Sequence, residues 1–279
     1  MNNLDDNENL KENDSNLNED SILDFKTLCN LRQGRLESVL NEKYQYITSI
    51  ERGQRYLLPH VNSKIELVVM YADIVGSTKM SMTLPTEKVV TIIKAFSHEL
   101  SSVIESYGGF VLKYVGDAII AFFPSGFNKY LVCDRALSCA KSMLSVLRND
   151  INPVFRRHNY PDLQIKIGMA EGENIVIQYG KDKSSQRDLI GYIINVASKI
   201  TSLTLPNRIS MGGAFHMLLH PKTQSEFEKI SLENREWKYI DKHNQKIYEV
   251  YSTKYTHHRS LMTVRPVVPC GSESRKFWK

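Results

Sequence analysis

Asp73 closes the apolar run IELVVMYA, residues 65–72, and Asp117 stands in the turn of GGFVLKYVGDAIIAFF, residues 108–123. Nearly every other side chain of the second stretch is apolar, yet it also carries Lys113, four residues before the acid. A charge in a buried hairpin is costly unless it is paired or binds a ligand, so both charges need a reason. Paired carboxylates suit a divalent ion such as Mg²⁺, which takes hard oxygen ligands and completes its shell with water and substrate phosphates. The chemistry this indicates is nucleotide chemistry. Gly76, Ser77 and Thr78 follow Asp73 in a loop, DIVGSTKMS, ahead of a helix, where backbone N–H groups can hold a phosphate. Either acid alone reads as a strand cap or a turn residue. Their pairing, with Lys113 beside them, favours a site.

The surrounding periodicities predict how the two acids meet. Residues 65–72 form a strand apolar on both faces. A helix opening near Pro85 carries Val89, Ile92, Ile93, Phe96, Leu100 and Val103 on one stripe and stops at Gly108-Gly109. The hairpin with its Gly116-Asp117 turn comes next, then a second amphipathic helix from about Asn128 to Leu147, then the strand LQIKIGMA. The order strand, helix, hairpin, helix, strand is a ferredoxin-like βαββαβ unit in the α+β class, with helices on one face of an antiparallel sheet. In that topology the first strand lies beside the hairpin, which brings Asp73 and Asp117 to one edge.

Composition bounds the rest. The chain has 279 residues, 42% of them apolar, and a net charge of +5, the profile of an ordinary globular protein. No window reaches the length of an apolar membrane span, and the start lacks the pattern of a signal peptide, so a cytoplasmic protein is expected. Cys29, Cys133, Cys139 and Cys270 form no CxxC pair and are expected as free thiols. Residues 1–22 read as a disordered acidic tail and 254–279 as a disordered basic tail. Residues 23–60 read as a helical segment, with Leu28, Leu31, Leu36, Val39 and Leu40 loosely on one face, suited to coupling, dimerisation or a regulatory partner. His216 and His220 have the i, i+4 spacing of a zinc pair, but the Glu of HExxH is missing, and they read as structural. Tyr114 falls among the candidate site residues, and no nucleic-acid partner is expected.

Three stretches together resemble the class III nucleotidyl cyclases, which convert ATP or GTP to the 3′,5′-cyclic monophosphate and pyrophosphate. YADIVGST is similar to the family's first metal motif, and GGFVLKYVGDAIIAFF to its second, with the K-x-x-G-D spacing. DLIGYIINVASK, residues 188–199, matches D-x-x-G-x-x-V-N-x-A-x-R except at Ile194 and Lys199. The resemblance implies a catalytic domain over residues 61–253, with the βαββαβ core followed by a C-terminal α/β extension. It assigns Asp73, Ile74 and Asp117 to two Mg²⁺ or Mn²⁺ ions per site, and Lys113 with Asp188 to the base. It assigns Asn195 to the ribose, Lys199 to the place of the family's Arg, and Lys242 to a phosphate.

A ring acceptor at N1 and an amino donor at N6 make adenine the complement of a Lys and a carboxylate, so the expected reaction is ATP to cyclic AMP. Family geometry implies a homodimer with two composite sites: one protomer gives the metal carboxylates, the other gives Lys113, Asp188, Asn195 and Lys199. The alternatives are a guanylate cyclase, or a degenerate cyclase fold acting as a nucleotide-binding regulator. The GG-acid-EF signature of diguanylate cyclases is absent from the hairpin.

Overall fold

The structure, a computed structural model, describes residues 49–182, 184–232, 237–241 and 245–254, together with 32–34, 36, 37 and 40. Residues 1–22 and, beyond Lys254, 255–279 lie outside the described residues, as do Leu28, Leu31, Val39 and Lys242. Helix α1 covers Ile50–Leu57, and after a 3₁₀ turn containing Pro59 the strand β1 runs Lys64–Ile74. Helices α2 (Ser77–Thr83) and α3 (Thr86–Ser106) lead to the hairpin β2 (Phe110–Val115) and β3 (Ala118–Pro124). Helix α4 (Lys129–Val146) continues through a π-helical turn into α5 (Asn152–Arg157), and β4 follows over Ile165–Gln178. The extension comprises β5 (Arg187–Ile190), α6 (Tyr192–Leu203), β6 (Arg208–Gly212), the short helices α7 (Gly213–Met217) and α8 (Pro221–Gln224), β7 (Phe227–Lys229) and β8 (Val250–Thr253).

The sheet order is β2-β3-β1-β4-β6-β8-β7, with β5 added to the far half of β4. Strand β1 is central and antiparallel to both β3 and β4, as a βαββαβ unit requires. Its even-numbered residues Val68, Met70 and Ala72 face one core with Phe96 and Leu100 of α3 and Ala136 and Met143 of α4. The stripe read from the sequence is that face: Val89, Ile92, Phe96, Leu100 and Val103 are buried. Asn128 caps α4 by accepting a hydrogen bond from the Leu131 N–H at 3.0 Å. Leu36 is wholly buried in the same core.

The odd-numbered residues Leu67 and Val69 face a second core, built with Leu57 of α1 and Val196, Ala197 and Ile200 of α6. Helices therefore cover both faces, where the βαββαβ core alone predicts one. The additional layer comes from elements outside that core, and it positions the candidate site. Helix α6 sits close on β4 because residue 168 is glycine: a Cβ there would stand 2.5 Å from the Thr201 backbone nitrogen. Asn174 Oδ1 accepts from the Ile194 N–H at 3.2 Å and fixes the start of α6. Helix α1 holds β5: Gln54 Nε2 donates to the Arg187 carbonyl at 2.9 Å, and the Arg187 N–H donates to Gln54 Oε1 at 2.6 Å.

His216 stacks on Tyr251 with ring centroids 3.9 Å apart, and the His220 ring accepts from the Lys222 N–H. Both have structural partners. No group of three or more metal-ligating side chains occurs among the described residues, and none of the described helices is long and apolar enough to cross a membrane. Cys133 and Cys139 are buried free thiols.

Candidate active site

Two polar pairs form on the face covered by α6. The first is Asp73 with Asp117. In the register Asp73 lies opposite Ala118 on one side and Lys166 on the other, so the residue after the hairpin turn is its neighbour and Asp117 is brought against it. Burial pushes the Asp73 carboxyl above its ordinary pKa, and the Asp117 charge pushes the same way, while the Lys166 ammonium opposes both. Lys166 Nζ stands 3.1 Å from Asp73 Oδ2. Asp117 Oδ2 is buried and has no hydrogen-bond partner. The Val75 N–H bonds to the Gln164 carbonyl across β4. By ladder alternation, the Ile74 carbonyl then points the other way, toward the Gly116-Asp117 turn. Two crowded carboxylates, one with an orphaned oxygen, and a main-chain carbonyl beside them form an oxygen donor set that fits a hard divalent cation.

The crowding has a stability cost with a definite sign. A carboxyl whose folded pKa lies above its unfolded one destabilises the fold fully above the folded pKa and not at all below the unfolded one. Asp73→Asn is therefore expected to raise the melting temperature of the metal-free protein at neutral pH. The gain should shrink as pH falls through the carboxylate range. A melting temperature lowered equally at all pH values would refute the electrostatic account.

The second pair is Lys113 with Asp188, joined by a salt bridge from Lys113 Nζ to Asp188 Oδ2. Lys113 pairs with Asp188 rather than with Asp73 and Asp117, the neighbours that the hairpin sequence suggests. Its partner is Asp188 because β2 carries a bulge between Val111 and Lys113. The extra residue puts Leu112 and Lys113 in succession on the α6 face. Leu112 joins the second core, and Tyr114 turns to the first, where its hydroxyl meets Ser101 Oγ at 2.7 Å. The other oxygen of Asp188 accepts the Leu189 N–H at 2.9 Å. Tyr71, two residues before Asp73 on the same side of β1, is close enough that burial and the Asp188 charge push its hydroxyl up to about 12.

The remaining candidates are distributed differently. Asn195 and Lys199 lie one turn apart on the solvent side of α6, both exposed. Lys199 has no ion pair among the described residues, and the two make no contact with either pair. Gly76 takes a left-handed φ of 75° and precedes α2, so Ser77 and Thr78 form the first turn of a helix instead of the loop expected from DIVGSTKMS. Lys166 and Tyr71 escaped the sequence reading. Once β4 is known to run antiparallel to β1, alternation alone puts Lys166 across from Asp73.

The sequence pattern of the adenylate and guanylate cyclase catalytic domain family matches residues 60–251, which contain both pairs and α6. The chain belongs to this family. Its fold is that of the class III nucleotidyl cyclases: the solved structure of the guanylyl cyclase Cya2 superposes with a TM-score of 0.58 at 20% identity, covering 69% of this chain and 93% of that one. The chain is 28% identical over 141 residues to the adenylate cyclase of Anabaena cylindrica, a match covering 50% of this chain and 27% of that protein. It is 27% identical over 155 residues to the cytidylate cyclase of Escherichia coli, covering 52% and 33% respectively. These matches take in a third or less of the relatives' length. Class III cyclase domains depend on divalent metal, and this domain's crowded carboxylates are suited to it.

Proposed function

We propose that this cyclase domain converts ATP to cyclic AMP and pyrophosphate at sites shared between two copies of the chain. The observation that carries the proposal is the Lys113–Asp188 pair, formed within one protomer on the same face as the carboxylate pair. Its ammonium donates where adenine accepts, at N1, and its carboxylate accepts where adenine donates, at N6. Guanine presents the opposite edge and would leave both groups unpaired. The names of the relatives span adenine, guanine and cytosine nucleotides, so support for ATP rests on this pair.

Asn195 and Lys199 need a nucleotide to act on, and within one chain they face solvent. A two-fold arrangement puts them against a site on the other copy. Exposed apolar side chains on the extension and the adjoining end of β4 support such an interface. Ile175 and Ile190 are cross-strand partners, both exposed, and Ile240 and Ile247 form an exposed bridge tied to α6 by the Tyr192 hydroxyl on the Ile240 carbonyl at 2.6 Å.

In this reading Asp73, Asp117 and the Ile74 carbonyl would hold Mg²⁺ or Mn²⁺, which lowers the pKa of the ribose 3′-hydroxyl and neutralises the pyrophosphate leaving group. Lys113 and Asp188 exchange their mutual salt bridge for the base. Lys166, no longer needed to neutralise Asp73, is in place to meet a phosphate, as are the backbone N–H groups of Gly76, Ser77 and Thr78. The partner subunit's Asn195 orients the ribose, and the partner subunit's Lys199 meets the charge that develops on the α-phosphate.

The test is to incubate the purified chain with each of ATP, GTP, CTP and UTP and either metal, and to detect the cyclic product. ATP should be preferred over GTP by at least about tenfold in kcat/KM, the effect of leaving one buried polar contact unmade. Lys113→Ala and Asp188→Ala should each erode that preference. Equal or better turnover of another nucleotide would overturn the base assignment, and absence of any cyclic product would overturn the proposed activity.

A further inference from the structure

We infer that the domain carries a second ligand site, for an aliphatic carboxylate, on the opposite face of the sheet from Asp73 and Lys113. A cavity of about 460 Å³ lies between the C-terminal half of α4, the approach to β4 and the edge formed by β6 and β8. That volume falls in the range of pockets that hold small organic molecules. Leu144, Leu147, Leu163 and Ile209 supply an apolar lining that belongs to the first core. The wall is fixed in advance: the Asn152 side chain donates to the Leu163 carbonyl at 3.0 Å and accepts the Leu163 N–H at 2.8 Å. The π-helical turn that supplies Leu147 and Arg148 is of a kind frequent at functional sites.

Charge at the rim selects the ligand. Both acids there already have partners: Glu226 holds Lys141 at 2.6 Å, and Asp162 holds Arg156 through two hydrogen bonds of 2.7 and 2.9 Å. Arg148 and Lys254 remain, exposed and without an ion pair among the described residues. Two uncommitted cations at the edge of an aliphatic cavity complement a molecule with an apolar body and an anionic head. Among the described residues no aromatic ring lines the cavity, so they offer a nucleobase or other flat ring no stacking surface, and an alkyl chain is the better match to leucine and isoleucine. Nothing in the cyclase reaction uses these residues.

Isothermal titration of the full chain, without nucleotide or metal, tests the inference with decanoate below its micelle concentration and 1-decanol as the uncharged control. Decanoate should bind saturably at one site per chain, and decanol at least about tenfold more weakly, since it keeps the chain and loses the charged hydrogen bonds. The double variant Arg148→Glu, Lys254→Glu should weaken decanoate by a similar factor at unchanged melting temperature, because both side chains are exposed. Should that variant melt early, Lys254→Gln alone, at the end of β8, must still weaken decanoate relative to decanol. Equal binding of acid and alcohol, full retention of binding in the charge variants, or no saturable binding would each overturn the site.

Discussion

Mixing Asp73→Ala chains with Asn195→Ala chains is expected to restore about a quarter of wild-type activity, although each variant alone is nearly inactive. Asp73→Ala removes one of two crowded carboxylates at the edge of β1, where Asp117 Oδ2 already lacks a hydrogen-bond partner. Its loss should cost on the order of a thousandfold in rate, with the same cost for Asp117→Ala. Neither side chain is part of an apolar core, so the fold should survive. Asn195 is exposed on α6, and its removal should leave the isolated chain unchanged while depriving the proposed shared site of a ribose contact. After subunit exchange, about half of the dimers hold one chain of each kind, and each of those has one of its two sites built only from intact residues. Recovery therefore measures whether the sites are shared. No recovery, with exchange demonstrated by fluorescence transfer between labelled chains, would mean that Asn195 acts within its own chain or not at all.

The same geometry explains what could be seen in the sequence and what could not. The convergence of Asp73 and Asp117 was legible because it follows from topology: a strand with a charged end, a helix, and a hairpin with an acid in its turn leave one antiparallel arrangement. The stripes of α3 and α4 were legible for a similar reason, since each buries a single face and the 3.6-residue period records it. Periodicity alone misplaces Lys113, whose association with Asp188 comes only from the family resemblance, because strand alternation assumes an unbroken ladder. One bulged residue in β2 reverses the side on which a lysine stands. Strand β5 is only four residues long and depends on Gln54 in α1 for its place, a contact across more than a hundred residues that no local pattern records.

The short helix α2 looks like a loop in the sequence because Gly and Ser suggest a turn, and Gly76 does make one before the helix begins. Lys166 looks like an ordinary alternating strand residue until its neighbour is known. Burial and like charge raise the Asp73 carboxyl against the pull of Lys166, so the fold keeps an unfavourable arrangement where a cation would relieve it. A cost in stability retained at one sheet edge is expected of a functional site rather than of a structural cap.

Lys199→Arg is expected to raise kcat for ATP, and Lys199→Ala to lower it by about ten- to a hundredfold, with KM changing less in both. The expectation rests on where the residue stands and what it lacks. It lies one turn beyond Asn195 on the exposed side of α6, with no ion pair among the described residues, so none of them commits its charge. Across a two-fold interface it would face phosphate oxygens as charge builds on them. There a guanidinium holds two oxygens in a planar fork, where an ammonium offers one point charge. The gain should appear in kcat because the second contact strengthens as charge develops and adds little to the ground state. If alanine has no effect and arginine gives no gain in a chain that turns over ATP, Lys199 is a bystander and another cation serves, with Lys166, already 3.1 Å from Asp73, the first to test. If the natural chain makes no cyclic nucleotide and Lys199→Arg alone restores it, the protein is a nucleotide-binding regulator that has lost one charge-stabilising contact and kept the rest of the site.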